Sequence, residues 1–209
     1  MTNFTLSHYA DTINEYLDNE YKFTLMDRHL SKNEKQIILS HDVDMDPTLV
    51  SKMSKVEDFL GVKSTYFFRT RSRKYNFFSH ENICLMHDLV NRGHDIGIHY
   101  EPPFPQSELK ESVILDIEKL FVFAKESTGL EITFFNVHEP ARTGLDISAV
   151  LPEKNRCYNS SFFKNFKYLS DSSARWREGC FCEHVEKWNK LLVLTHPLWW
   201  YAKTPGENY

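Results

Sequence analysis

Gln36-Ile37-Ile38-Leu39-Ser40-His41-Asp42-Val43-Asp44 is the stretch on which the reading of this 209-residue chain turns. Its first half is a short apolar run of strand length, as expected of a strand buried on both faces. Its second half places a histidine and two aspartates where that strand would end. Asp46-Pro47 follows at once and reads as an N-cap with a proline in the first helical turn. Leu49, Met53, Val56 and Leu60 then recur at helical spacing, and Gly61 ends the helix.

The same alternation extends outward. On the N-terminal side, Tyr9, Ile13, Tyr16 and Leu17 predict a helix within a lead-in of residues 1–35. On the C-terminal side, Ser64 to Phe68 predicts a second strand, with Arg69 and Arg71 just past its end. A helix capped by Ser79 follows, with Met86, Leu89 and Val90 on its inner face and Gly93 behind it. His94 to Ile98 predicts a third strand that delivers His99. Leu109, Val113, Ile117, Leu120, Phe121 and Ala124 form an amphipathic stripe stopped by Gly129. Ile132 to Val137 delivers His138. Weaker runs at Arg156 to Tyr158 and Tyr168 to Ser170 fit two more strands, the second delivering Asp171. Leu191 to Thr195 is the last strand and delivers His196-Pro197. Strands alternating with helices predict a parallel α/β sheet in one domain spanning 1–209.

Composition narrows the function classes. With 41 % hydrophobic and 26 % charged residues the chain can build a core, which excludes a disordered polypeptide. The 25 basic and 29 acidic residues leave a net charge of −4, which argues against a general nucleic-acid binder. No apolar run reaches the roughly 18 to 20 residues of a membrane span. The N-terminus shows no basic region followed by an apolar one, so a cytoplasmic location is expected. Cys84, Cys157, Cys180 and Cys182 are too few and scattered for a disulfide framework. Cys180-Phe181-Cys182-Glu183-His184 has the look of a metal site, but it supplies one ligand pair where structural zinc sites use two. Buried reduced thiols are the expectation there.

The chemistry collects at the strand ends. Asp42 and Asp44, His99, His138, Asp171 and His196 each lie at or just beyond the C-terminal end of a predicted strand. In a parallel α/β barrel or sheet that edge is where ligands bind. A single strand-end Asp or His can do no more than cap a turn. Six of them on one rim suit a metal site with acid and base groups beside it.

His41-Asp42-Val43-Asp44, Gly93-His94-Asp95-Ile96-Gly97-Ile98-His99, Ser170-Asp171 with Trp176, and Leu194-Thr195-His196-Pro197, in that order, resemble the polysaccharide deacetylase superfamily. The likeness spans roughly residues 36 to 200. It is greatest to a divergent branch with an Asp-x-Asp first motif, associated with surface-polysaccharide (O-antigen) biosynthesis. The resemblance implies a distorted (β/α) barrel of about seven parallel strands, the NodB-like deacetylase fold, and a divalent metal, usually zinc. Carried over by position, it implies Asp42 as catalytic base, Asp44 and His99 as metal ligands, and His196 as general acid. Asp171 and Trp176 match the motif that orients that histidine and walls the acetyl pocket.

Two departures stand out. A second ligating histidine is expected four residues after His99, where the chain has Pro103. The expected Arg-x-Pro-Tyr segment is replaced by His138-Glu139-Pro140-Ala141, and Arg142 is a candidate to restrain Asp42 in place of the missing arginine. His138 is therefore proposed as third ligand with Glu101 in reserve; otherwise the metal site is incomplete. Arg69 and Arg71 suit a phosphate on a nucleotide- or lipid-linked sugar, and equally a basic loop paired with acids. Trp199 suits stacking on a sugar ring. The expectation is a metal-dependent deacetylase of an acetylated amino sugar or oligosaccharide. Its rivals are a hydrolase of another amide or formamide, and an inactive glycan-binding relative.

Overall fold

The structure, a computed structural model, describes residues 3–27, 33–101, 110–139 and 164–208. Along it run α1 (Leu6–Asp18), β1 (Lys22–Thr24), β2 (Gln36–Val43), α2 (Val50–Phe59), β3 (Thr65–Arg69), α3 (His80–Asn91), β4 (Asp95–Tyr100), α4 (Lys110–Thr128), β5 (Phe134–Val137), β6 (Lys167–Ser170) and β7 (Lys190–Thr195). The strands form one seven-stranded sheet, ordered β5-β4-β3-β2-β7-β6, with every neighbouring pair parallel. β1 pairs with the first half of β2, and β3 takes over that edge from Ser40 onward. The result is the curved, parallel half-barrel expected of a distorted (β/α) barrel. The strand expected at Arg156 to Tyr158 lies outside the described residues. β1 falls within the lead-in and is a finding of the structure, since three residues are too few to show a period.

Local signals set the helix ends. Thr5 caps α1 and Ser79 caps α3, each accepting a backbone N–H with its hydroxyl oxygen. Asp46 accepts from the Thr48 N–H at 2.9 Å, but Pro47–Leu49 form a 3-10 turn before α2 proper begins at Val50. Gly61 closes α2 at φ 70°, a left-handed turn that glycine adopts without strain.

Alternation then sorts side chains into layers. On one face of the curve, Ile38, Phe67, Phe134 and Leu192 meet Met26 in an inner cluster. On the other face, Ile37, Leu39, Leu191 and Val193 pack with Tyr9, Ile13 and Tyr16 of α1. Tyr66, Phe68, Ile96, Ile98 and Phe135 pack with Met86, Leu89, Val113 and Ile117 of α3 and α4. Among the described residues, no helix is long and apolar enough to cross a membrane.

A buried carboxylate ties the outer layer to β2. Glu57 of α2 has no exposure. It accepts hydrogen bonds from the Tyr9 hydroxyl at 2.6 Å, the Tyr66 hydroxyl at 2.7 Å and the Ser64 hydroxyl at 2.8 Å. His41 Nε2 adds a fourth at 2.7 Å, while its Nδ1 lies 2.7 Å from the Thr195 hydroxyl on β7. His41 therefore packs behind the rim, as a hydrogen-bonding residue. Burial alone would raise the Glu57 pKa, but His41, then His94 and the Tyr66 hydroxyl, pull it down to about 2.

The inner layer is tight. A Cβ on Gly97 would lie 2.3 Å from the Phe67 ring, so this position on β4 has room only for glycine. Gly97→Ala is expected to cost about 1–3 kcal/mol of stability through overpacking. Urea denaturation should show a smaller cost in a Phe67→Leu background. An equal cost in both backgrounds would contradict the steric assignment.

Candidate active site

The inner layer leads directly to the rim. Asp42 and Asp44 share the parity of Ile38 on β2, and His99 and Glu101 that of Gly97 on β4. Asn136 and His138 continue Phe134 on β5, and His196 continues Leu192 past β7. Since all strands point the same way, these positions converge. His99 Nε2 lies 3.2 Å from Asp44 Oδ1 and 3.6 Å from Asp42 Oδ2. His138 Nε2 lies 3.7 Å from Asp44 Oδ1. His196 Nε2 lies 3.9 Å from Asp42 Oδ2 and 3.8 Å from Asp44 Oδ2. All six rim residues expected from sequence belong to this constellation, Asp171 through His196.

Asn136, which the sequence reading passed over, organises the centre. Its amide Nδ2 donates to Asp42 Oδ1 at 2.5 Å, and its Oδ1 lies 2.5 Å from His99 Nδ1. Asp42 can only accept, so the amide nitrogen must face it and the amide oxygen must face His99. That puts a proton on His99 Nδ1 and makes Nε2 the nitrogen directed toward Asp44. The available signal was an asparagine inside the apolar strand Ile132 to Val137.

Asp171 organises the other side. It accepts from His196 Nδ1 at 2.6 Å, the His196 backbone N–H at 3.2 Å and Trp200 Nε1 at 2.9 Å. Burial alone would lower the His196 pKa, but the Asp171 carboxylate overrides it and raises it to about 9. Burial raises the Asp42 pKa despite the opposing pull of His99 and His196. Burial acts in the same direction on Asp44, yet His99 and then His196 hold its carboxyl well below the usual range. Burial and the neighbouring His99 lower the pKa of His138.

The remaining candidates lie around this centre. Arg69 is ion-paired with Glu101, and its backbone N–H reaches the Tyr75 hydroxyl at 2.6 Å. Arg71 donates to the Glu101 carbonyl at 2.9 Å and to Asp116 at 2.7 Å. Both arginines are thus engaged within the protein. Glu101 Oε1 stands 3.8 Å from His138 Nδ1, behind that ring. Trp176 packs against Phe181 in the outer layer, ring centroids 5.5 Å apart. Trp199 is half-buried, its ring 6.4 Å from that of His196. Pro103 and Arg142 lie outside the described residues.

The donor set fits a divalent cation. Asp44, His99 and His138 offer ligand atoms within 4.8 Å of one another. Asp44 Oδ1 is buried with no hydrogen-bond partner, and His99 Nε2 lies 3.2 Å from it. A carboxylate oxygen and two imidazole nitrogens around one point are a catalytic-type ligand set with room for a further ligand. Two nitrogens and an oxygen do not select zinc over other divalent ions.

No protein-family profile and no curated protein matches the sequence. Solved structures share its fold. The catalytic domain of a peptidoglycan N-acetylglucosamine deacetylase from Eubacterium rectale ATCC 33656 aligns with a TM-score of 0.54 at 16 % identity, covering 81 % of this chain and 79 % of that one. The chain has the polysaccharide deacetylase fold, that of the family 4 carbohydrate esterases. A family 4 pseudoenzyme from Bacillus anthracis aligns at 0.50 and 15 % identity, over 80 % of this chain and 56 % of that one. A mutant of the same protein with restored enzymatic activity aligns at 0.53 and 14 %, over 80 % and 58 %.

In the metal-free protein, an NMR titration of His196 should give a pKa of about 9. Asp171→Asn removes the dominant favourable charge and should bring that pKa down to about 6.5 or below. An unchanged titration would contradict the role given to Asp171.

Proposed function

We propose that the chain is a divalent-metal-dependent carbohydrate deacetylase that hydrolyses the N-acetyl group of an amino sugar. The observation that carries this reading is the convergence on one rim of a ligand triad, Asp44, His99 and His138, with a base, Asp42, and an acid, His196. The shared fold supports it, since one protein of this fold is a peptidoglycan N-acetylglucosamine deacetylase. The Asp-x-Asp motif favours a substrate in surface-polysaccharide synthesis, either a nucleotide- or lipid-linked sugar or an oligosaccharide.

Asp44, His99 and His138 would hold the cation. When bound, it supplies Lewis acidity that lowers the pKa of water and polarises an acyl carbonyl, with zinc the first candidate. Asp42 does the base chemistry. Asn136 engages its Oδ1 and leaves Oδ2 facing the gap between His99 and His196, where it accepts the proton of the attacking water. The water oxygen bonds to the acyl carbon and the carbon–nitrogen bond breaks. His196 Nε2 donates a proton to the departing nitrogen, while Asp171 keeps the ring protonated and oriented. The products are acetate and a free amino sugar.

Glu101, held by Arg69 and Arg71, stands 3.8 Å behind His138 Nδ1, beyond hydrogen-bond distance, and would steady that ring by its charge. In this reading the two arginines hold the ligand shell in place of gripping phosphate. Trp199 offers an aromatic face to the sugar ring. Trp176 supports the acetyl side through Phe181, which itself packs on Trp200.

The test is acetate release from N-acetylated chito-oligosaccharides and nucleotide-linked N-acetyl sugars in the presence of zinc or cobalt. Asp42→Asn should lower the rate by about 100-fold or more while metal binding persists. Full activity in that variant would remove Asp42 as base. Glycan binding without turnover in the wild type would favour the inactive relative.

A further inference from the structure

We infer a second metal site, rich in sulfur and separate from the rim, formed by His8 of α1 with Cys180 and Cys182 from the segment between β6 and β7. His8 Nε2 lies 3.3 Å from Cys180 Sγ, and the three ligand atoms all lie within 4.8 Å of one another. A tetrahedral zinc ion, with bonds of about 2.3 Å to sulfur and about 2.0–2.1 Å to nitrogen, sets its ligand atoms about 3.6–3.8 Å apart. The cluster is on that scale.

Burial favours the neutral thiol at Cys180, so the ligand set forms only as a cation displaces the proton. Phe181–His184 form a 3-10 turn, closed by the Glu183 backbone N–H on the Cys180 carbonyl at 2.8 Å. The Cys182 N–H reaches the Cys180 sulfur. Backbone donors of this kind stabilise sulfur that carries negative charge. The Glu183 carboxylate turns back to accept the Cys180 N–H at 3.1 Å, which fixes the loop. His184, the nearer histidine in sequence, is used elsewhere, its Nε2 3.0 Å from the Glu178 carbonyl. Cys180 is buried while Cys182 and His8 are half-buried, so water can complete the fourth position.

The site would join two parts of the fold that already touch. The Tyr16 hydroxyl donates to the Phe181 carbonyl at 2.6 Å, and the Tyr9 and Phe181 rings meet at a tilt with centroids 6.1 Å apart. A cation there staples the first turn of α1 to the loop packed behind Trp200 and Asp171. Two thiolates and an imidazole select a thiophilic ion, zinc foremost, over calcium or magnesium. Binding releases one proton from each thiol.

Cobalt(II) added to the full chain under reducing conditions tests this, because only thiolate ligation gives a sulfur-to-cobalt charge-transfer band in the near ultraviolet. The band is expected in the wild type and in His99→Ala, whose rim site is disabled, and should be lost in Cys180→Ser/Cys182→Ser. His8→Asn keeps both thiols and should weaken cobalt binding at this site, a check that does not depend on the double variant folding. No band at saturating cobalt in the wild type would overturn the site. So would a band surviving the double variant, or unaltered affinity in His8→Asn. These outcomes are independent of deacetylase activity.

Discussion

A carboxylate shut away from water must be met by donors on every side, and Glu57 is met by four. Those donors come from α1, β2, β3 and the turn leading into β3, so one buried charge fixes the mutual setting of two helices and two strands. The consequence for β2 is specific. With His41 held on the outer face by Glu57 and Thr195, strand alternation sends Asp42 and Asp44 to the inner face. The orientation of the two rim carboxylates is therefore set by a network on the opposite side of the sheet.

Once β2 is fixed, its parallel neighbours fill in the rest. β3 and β5 each carry an apolar inner residue below the rim and polar ones at the end, from Phe67 to Arg69 and from Phe134 to Asn136 and His138. Gly97 gives Phe67 its place, and two residues later the same strand delivers His99. The polar groups then divide by partner. Asn136 sets the His99 tautomer and the Asp42 rotamer together, while Asp171, held also by Trp200, keeps His196 charged. One carboxylate is raised by burial and one imidazole by a carboxylate, which suits the proposed roles of base and acid.

The parallel fold and the six rim residues were legible from sequence because both depend on local signals: strand-length apolar runs, helix caps and the residue at each strand end. Glu57, Asn136 and Trp200 were not, because their importance lies in partners far along the chain. Glu57 reads as a surface position on an amphipathic helix until Tyr9, His41, Ser64 and Tyr66 are placed around it. Arg69 and Arg71 fit either a phosphate or neighbouring acids until the fold sets Glu101 and Asp116 beside them. The cysteine pair shows the same limit, since sequence offers His184 as its companion and folding brings His8 from the other end of the chain.

The central claim is that the rim binds one divalent ion through Asp44, His99 and His138. The most direct measurement is elemental analysis of dialysed protein in a Cys180→Ser/Cys182→Ser background, which isolates the rim. About one ion per chain is predicted, lost in His138→Ala and retained in Glu101→Gln, since Glu101 stands behind the ligand. Retention in His138→Ala, or no ion after incubation with excess zinc or cobalt, would contradict the account.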